Sequence, residues 1–156
     1  MHKDQKLGWY LEEFKVGQKF VSNTRVVTEA DIVNYGCMGG DLYPLHFDED
    51  YARAQGFKTR IMHGLGTLTL AGGFAYHALP IEGRIIAHLR GEYNFPAPVY
   101  PQDAIHAETE VVEVRPSKSK PDRGILGFKS IIKNQRDEVV CEWTWSFMYH
   151  RKPQNT

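Results

Sequence analysis

The sequence predicts an α+β fold in which an antiparallel sheet curls around one central helix. Residues 64–79 are apolar on nearly every side and rich in glycine and alanine, a composition that favours a buried helix. Four β-type segments follow this helix, between residues 85 and 149. A helix that precedes a run of strands is typical of an antiparallel α+β domain rather than of alternating βαβ units.

The elements before the central helix are a strand and two helices. Residues 20–27 alternate weakly and are rich in β-forming side chains, which predicts a strand. A helix then opens at Thr28, where the sequence resembles a capping box, and it ends at the glycine pair that starts at Gly39. Asp48 is placed to cap a shorter helix over residues 48–55.

The four later strands are predicted at residues 85–93, 104–114, 125–133 and 139–149. In the second of them apolar and polar residues alternate, with Ile105 and Ala107 on the face opposite His106. The last two strands form a hairpin around a turn at residues 134–137. The prolines of residues 95–103 prevent regular pairing, so this segment is predicted to be a stiff loop.

Length and charge exclude one class of partner. The 156 residues suit a single domain, residues 1–156, and the 19 basic and 19 acidic side chains cancel. A nucleic-acid-binding protein usually carries a basic excess or a basic stripe. No nucleic-acid partner is therefore predicted.

Targeting features and cysteines bear on the cellular compartment. Residues 1–6 are polar, without the apolar region of a secretory signal. The longest apolar stretch, about residues 65–79, is too short and too rich in glycine to span a bilayer. We therefore expect a cytoplasmic protein with no membrane partner. Cys37 and Cys141 lie in apolar contexts, which predicts reduced, buried thiols.

Asp41 and His46 are the candidate catalytic pair. Pro44 lies between them and disfavours a helical conformation at Tyr43, so their relative placement is expected to depend on a loop. A carboxylate and an imidazole held together provide an acid and a base whose pKa values can be tuned apart. The residues alone leave an alternative open, in which Asp41 caps a turn and His46 is an ordinary loop histidine.

His63 and Gly64 stand at the expected start of the central helix. The N-terminus of a helix presents unpaired N–H groups and the positive end of the helix dipole. Gly64 has no side chain, so a ligand carbonyl could approach its N–H and a developing oxyanion could be stabilised there. Alternatively, Gly64 only relieves crowding at a tight entry to the helix.

Other kinds of chemistry lack a motif in this chain. No set of His, Asp, Glu or Cys residues has metal-ligand spacing, so no metal is predicted. There is no activated serine or cysteine nucleophile and no dinucleotide fingerprint, so no cofactor is predicted either. Acid–base chemistry or simple ligand binding remain.

Several spaced motifs resemble those of the MaoC-like dehydratases, a family that includes the (R)-specific enoyl-CoA hydratases. The first motif comprises Gly40, Asp41, Pro44, Leu45, His46 and Asp48, followed by Tyr51, Ala52, Phe57, Ile61, His63 and Gly64. The second comprises Phe95, Pro98, Val99, Pro101 and Asp103. Together with the segment that begins at Thr28, the likeness covers most of the chain.

The resemblance implies a hot-dog fold, an antiparallel sheet wrapped around a long helix, and a homodimer with two sites near the subunit interface. In this family the aspartate and histidine of the first motif hold and activate a water molecule, and here these are Asp41 and His46. The glycine after the second histidine supplies an oxyanion N–H, and here it is Gly64. We expect the neighbouring Tyr43, Pro44, His63 and Leu65 to contact the substrate.

The resemblance therefore implies a hydratase or dehydratase that interconverts a 2-enoyl thioester and a 3-hydroxyacyl thioester of CoA or of acyl carrier protein. One residue departs from the family pattern, since Tyr43 stands where an asparagine is common, and this affects the substrate more than the chemistry. Two alternatives stay open at this point. A hot-dog thioesterase would direct water at the thioester carbonyl, and a non-catalytic acyl-CoA-binding protein would bind without turnover.

Overall fold

The structure, a computed structural model, describes residues 7–153. The prediction about residues 1–6 therefore lies outside the described residues. Short helices and strands come first, and the four long strands of the sheet follow the central helix. A 3₁₀ turn at Leu11–Glu13 comes first. The other elements, in chain order, are β1 (Lys19–Val21), β2 (Arg25–Val26), α1 (Glu29–Gly39), α2 (Pro44–Phe47), α3 (Glu49–Ala54), α4 (Gly64–Ala78), β3 (Ile85–Asn94), β4 (Ala104–Pro116), β5 (Arg123–Lys133) and β6 (Val139–His150).

One antiparallel sheet organises the fold, with the strand order β1-β4-β5-β6-β3 and with β2 paired to β4. The predicted alternation in β4 is confirmed, because Ile105, Ala107 and Val111 are almost fully buried. These side chains share one core with Ala71 and Ala75 of α4, which lies against the sheet. The α+β fold and the central helix expected of a hot-dog domain are confirmed.

The capping box predicted for α1 is confirmed. The Thr28 hydroxyl accepts a hydrogen bond from the Asp31 N–H at 3.3 Å, and the Asp31 carboxylate accepts one from the Thr28 N–H at 2.8 Å. The helix ends at Gly40, whose φ of 73° places it in the left-handed region that glycine adopts without a steric penalty. The direction in which the chain leaves α1 is therefore fixed immediately before Asp41.

Two predictions of secondary structure were wrong in detail. The single strand predicted at residues 20–27 is two short strands, β1 and β2, separated by residues 22–24. The predicted loop around Pro44 contains the short helix α2, which Pro44 opens from its first position. Proline has no N–H to lose at that position and its φ already suits a helix, so the residue that disfavours a helix at Tyr43 starts one directly afterwards.

The central helix α4 is buried on one side only. Gly66, Thr67, Ala71 and Ala75 are buried, and they follow the spacing of one helical face. The opposite side carries Leu65, 49% exposed, together with further exposed or half-buried side chains. The expectation of burial therefore holds for half of the helix, and the other half is open to solvent in a single chain.

The two cysteines differ. Cys141 in β6 is buried, as predicted, and burial raises the pKa of its thiol to about 12. Cys37 is exposed, which contradicts the prediction. Ile32 and Gly36 form the buried face of α1, and Cys37 is one residue further on, which rotates it about 100° away from that face.

Within residues 7–153, no helix is long and apolar enough to cross a membrane.

Candidate active site

Asp41 lies at the point where the chain leaves α1, with its side chain exposed. Its carboxylate oxygen Oδ1 accepts a long hydrogen bond, 3.4 Å, from the N–H of Tyr43. Its main-chain carbonyl oxygen lies 3.0 Å from Nε2 of His63. The backbone of Asp41 is therefore held from within the protein, while its carboxylate stays free to meet a ligand.

His46 lies in α2 and is only 9% exposed. Its Nδ1 lies 2.8 Å from the carbonyl oxygen of Ile61. A carbonyl oxygen can only accept a hydrogen bond, so Nδ1 carries the hydrogen and donates it. In the neutral ring, Nε2 then keeps a lone pair and can accept a hydrogen bond or a proton.

The surroundings favour this neutral form of His46. The pKa of His46 is lowered from its ordinary value, chiefly because burial disfavours the charged ring and also because His63 lies beside it. The hydrogen bond to Ile61 and the charge of Asp41 act in the opposite direction without reversing the shift. At neutral pH the Nε2 of His46 is therefore an acceptor.

His63 lies directly behind this pair, at the residue that precedes α4, and is 2% exposed. Its ring stacks on that of His46, with 3.7 Å between the ring centroids and 24° between the planes. Because Nε2 donates to the carbonyl of Asp41, the other nitrogen, Nδ1, is left buried with no hydrogen-bond partner. His63 thus contacts both members of the candidate pair.

The three side chains converge on one point. A carboxylate oxygen of Asp41 and one ring nitrogen from each of His46 and His63 lie within 4.8 Å of one another. A single water molecule bridges two acceptors that are up to about 5.5 Å apart, because each of its hydrogen bonds is about 2.8 Å long. Asp41 and His46 are therefore close enough to share one water.

The same three residues also lie close enough together to be ligands of one metal ion. One nitrogen of His46 and one of His63 bond to carbonyl oxygens, as the second ring nitrogen of a metal-bound histidine usually does. The geometry is compatible with an ion as well as with a water, and the expectation that no metal is bound stays a prediction.

Gly64 is the first residue of α4, directly after His63. The N–H groups at this end of a helix have no partner within the helix, and they form the positive end of the helix dipole. A Cβ atom added at Gly64 would lie 3.0 Å from the ring of Phe95. A side chain at this position would therefore make the Phe95 ring move by a few tenths of an ångström.

A mostly apolar cavity of about 350 Å³ adjoins His46 and Gly64. Its walls come from the segment before α4, from the first turns of α4, from the proline-rich loop between β3 and β4, and from β6. The lining residues are His46, Phe57, Ile61, Met62, Gly64, Thr67, Phe95, Pro96, Ala97, Pro98, Val99 and Val140. An acyl chain could lie here with its polar end at His46 and Gly64.

The sequence-predicted site residues separate into two groups. Asp41, His46 and His63 lie close together, and His46 and Gly64 line one end of the cavity. None of the residues expected to contact substrate lines the cavity: Tyr43, Pro44 and Leu65 are exposed, and His63 is buried beside it. The hydroxyl of Tyr43 instead lies 2.8 Å from that of Tyr51.

Most residues of the cavity wall were not predicted as substrate contacts, among them Phe57, Met62, Phe95 and Val140. Phe57 belongs to the first family motif and Phe95 to the second, so the motifs could have identified both as pocket residues. Met62 and Val140 are apolar residues in apolar surroundings, and nothing in their local pattern distinguishes a cavity wall from an ordinary core position.

A comparison with family models matches residues 13–131 to the MaoC like domain. The chain belongs to the family of MaoC-like dehydratase domains. The match includes α1, the site segment, the central helix and the proline-rich loop, which together carry both motifs and most of the cavity.

Individual relatives agree with this assignment. The chain is 32% identical over 118 residues to the (R)-specific enoyl-CoA hydratase of Rhodospirillum rubrum, which covers 76% of this chain and 80% of the relative. The crystal structure of the MaoC-like dehydratase from Rhodospirillum rubrum is 34% identical, with a TM-score of 0.84 and coverage of 94% of this chain and 100% of that one. The double hot-dog protein RV0216 of Mycobacterium tuberculosis, 22% identical, matches with a TM-score of 0.83 over 96% of this chain and 46% of its own length, a likeness of fold.

Proposed function

We propose that this protein is a hydratase or dehydratase that adds water to a 2-enoyl thioester, or removes water from a 3-hydroxyacyl thioester. The observation that carries the proposal is the convergence of Asp41 and His46 within reach of one water, at the end of an apolar cavity that begins at Gly64. The names of the similar hydratase and dehydratase support the same reaction.

Two acceptors hold the attacking water. The Asp41 carboxylate and the Nε2 lone pair of His46 each accept one hydrogen from it, which directs an oxygen lone pair towards the β-carbon of the enoyl group. As the new carbon–oxygen bond forms, Asp41 takes the proton of the water as general base. His46 orients the water through Nε2.

The same pair completes the addition. When the β-carbon accepts the oxygen, the electrons of the double bond move to the α-carbon and the thioester carbonyl, and one proton must reach the α-carbon. His46 has no hydrogen on Nε2 at the start, so it can deliver a proton only after receiving one from Asp41 or from the water. Run in reverse, the same transfers remove water from a 3-hydroxyacyl thioester.

The helix N-terminus stabilises the charge that develops on the thioester oxygen. The Gly64 N–H is the proposed donor, and loss of one such donor typically costs about 3 kcal/mol in the transition state. The ring of Phe95 lies against Gly64, and we expect it, together with a bound substrate, to keep bulk water from this position. Hydrogen bonds to a developing oxyanion are stronger where water is kept away.

The acyl group is the part of the substrate that the cavity selects. Apart from His46 and Thr67 its lining side chains are apolar, which supports a hydrocarbon acyl chain. CoA is the proposed carrier, with acyl carrier protein as the alternative. Tyr43 contacts Tyr51 outside the cavity, so we expect it to affect the entrance more than the acyl pocket.

We further propose a homodimer of single-domain chains that uses no cofactor, in the cytoplasm. In a single chain, two surfaces leave large apolar side chains in solvent. One is the exposed half of α4, with Leu65 and Tyr76, and the other is the edge strand β3, with Leu89 and Tyr93. Exposed edge strands and apolar patches are usually covered. Light scattering of the purified protein distinguishes a dimer from a monomer.

The proposal is tested by incubation with a panel of straight-chain and branched enoyl-CoA esters. Loss of the conjugated enoyl absorbance, with a product heavier by one water, is the expected result. Asp41→Asn should abolish it, while Asp50→Asn, the same change at an exposed aspartate of α3, should not. Release of free thiol without hydration would contradict the proposal and indicate a thioesterase, and saturable binding without turnover would indicate a binding protein.

A further inference from the structure

His63 is buried beside the cavity without lining it, and it touches each part of the proposed machinery. Its Nε2 donates to the Asp41 carbonyl at 3.0 Å, and its ring stacks on His46 at 3.7 Å. Its own peptide group leads directly into Gly64. His63 thus connects the main chain of Asp41, the imidazole of His46 and the N-terminus of α4.

The position of His63 is itself rigid. Its carbonyl oxygen accepts hydrogen bonds from the N–H of Thr67, at 2.8 Å, and from the Thr67 hydroxyl, at 3.3 Å. The rings of Tyr35 and Phe47 pack around its imidazole, with centroids at 5.0 Å and 6.0 Å. Groups held by His63 are therefore held relative to the first turn of α4.

The buried nitrogen Nδ1 of His63 indicates that this histidine is not explained by packing alone. Nδ1 has no hydrogen-bond partner among residues 7–153, and an unsatisfied buried polar atom carries a free-energy cost. A phenylalanine would fill the same aromatic surroundings without that cost. What phenylalanine would not supply is the hydrogen bond from Nε2 to Asp41.

We propose that His63 is a positioning residue, which holds Asp41 and His46 at a fixed separation from each other and from Gly64. This inference rests on the proposed hydratase function. His63 does not touch the substrate. It acts through the backbone of Asp41 and through the face of the His46 ring, whose edge remains free to bind water.

Two substitutions separate the two contacts of His63. Glutamine carries an amide nitrogen near the position of Nε2, so His63→Gln keeps a donor for Asp41 and loses the stacked ring. His63→Phe keeps a stacked ring and loses the donor. His150→Gln, the same chemical change at an exposed histidine at the opposite end of β6 from the cavity residue Val140, is the matched control.

The expected kinetic result is a fall in kcat with little change in KM, because positioning acts on the transition state more than on binding. His63→Phe should lower kcat about 100-fold, the usual effect of a displacement near 1 Å at the reacting groups. His63→Gln should recover at least about tenfold of that loss, since tenfold corresponds to about 1.4 kcal/mol and a hydrogen bond contributes about as much. His150→Gln should match the unaltered protein.

Equal losses in the two variants, or near-native kcat in His63→Phe, would overturn the proposal, and so would an increase in KM without a fall in kcat. Circular dichroism and thermal unfolding verify that each variant is folded.

A second measurement does not depend on activity. Long-range proton–nitrogen spectra of the unaltered protein should show hydrogen on Nε2 of His63 and on Nδ1 of His46. Hydrogen on Nδ1 of His63 alone would overturn the proposal, because Nε2 could not then donate to a carbonyl. If no enoyl thioester is hydrated but the spectra agree, the proposed function fails and the positioning geometry stands.

Discussion

The segment at residues 40–64 and the sheet strands β4–β6 are organised by different interactions. In the sheet, each side chain is placed by the alternation of the strand and by the register of its neighbours, as the pairing of Phe128 with Trp145 shows. In the site segment, side chains bond to distant backbone carbonyls, such as His46 to Ile61 and His63 to Asp41. The sheet provides stability through repetition, whereas the site depends on a few individual contacts.

This difference predicts that substitution of an exposed side chain in the site segment changes activity and leaves stability largely intact. Asp41→Asn and His46→Ala are each expected to lower turnover by more than about 100-fold, the lower range for loss of general acid–base catalysis. The Asp41 side chain is exposed, so its change to asparagine should leave the free energy of unfolding nearly unchanged. Initial rates with the best enoyl-CoA ester and denaturant unfolding measure the two effects. A folded variant with near-native rate would remove that residue from the mechanism.

The opposite behaviour is expected in the sheet. Phe128 is fully buried and packs against Trp145 and Phe14, with ring centroids 4.9 Å and 6.2 Å away. Phe128→Ala should lower the free energy of unfolding by about 3–5 kcal/mol, as is usual for a large aromatic residue in a core. Below its melting temperature, the folded fraction should retain the rate per molecule. If Phe128→Ala lowered activity without lowering stability, the proposed difference between the sheet and the site segment would be wrong.

Gly64 links the two regions, because it ends the site segment and begins α4, the helix that packs against the sheet. Gly64→Ala should lower kcat about tenfold, because a small displacement of Phe95 disturbs a closely packed reaction site. Adding Phe95→Leu, a smaller and more flexible side chain, should recover part of that loss. A double variant slower than Gly64→Ala alone would show that the contact with Phe95 is not the cause.

The lowered pKa of His46 predicts the pH dependence. The Nε2 acceptor is lost when the ring is protonated, so kcat/KM should fall towards acid pH with an apparent pKa below about 6.5, the ordinary value for histidine. The free energy of unfolding should also fall towards acid pH. Below about pH 6.5 the unfolded chain binds a proton at this histidine that the folded chain does not yet bind. Unfolding experiments should therefore find stability decreasing as the pH falls from about 6.5 towards the lowered pKa. An acid limb above 6.5 would contradict this assignment.

Periodic and capped elements were predictable from sequence for physical reasons that the structure makes plain. The buried face of β4 follows from alternation, and the start of α1 follows from the reciprocal hydrogen bonds of Thr28 and Asp31. The interruption between β1 and β2 could have been predicted, because residues 22–24 are Ser-Asn-Thr, and asparagine is depleted in strands and common in turns. Pro44 was read as a helix breaker, although it opens α2 at the one helical position that tolerates it.

In the candidate site, the resemblance to the family motifs pointed to Asp41, His46 and Gly64, and their roles stay a prediction. The geometry around them was not predictable from the sequence. The stacking of His63 on His46 joins α2 to the residue before α4, and no local pattern encodes such a contact. The tautomer of His46 likewise depends on the carbonyl of Ile61, which is 15 residues away in the chain.

The central claim is that Asp41 and His46 act as a unit on one water. A double-mutant cycle tests it most directly, with kcat/KM measured for Asp41→Asn, His46→Ala and the variant that carries both changes. When two residues act as a unit, the effects of their substitutions on the rate are strongly non-additive. The double variant should therefore be about as slow as the slower single variant. If the two losses multiply, Asp41 and His46 act independently, and the shared water is not the basis of catalysis.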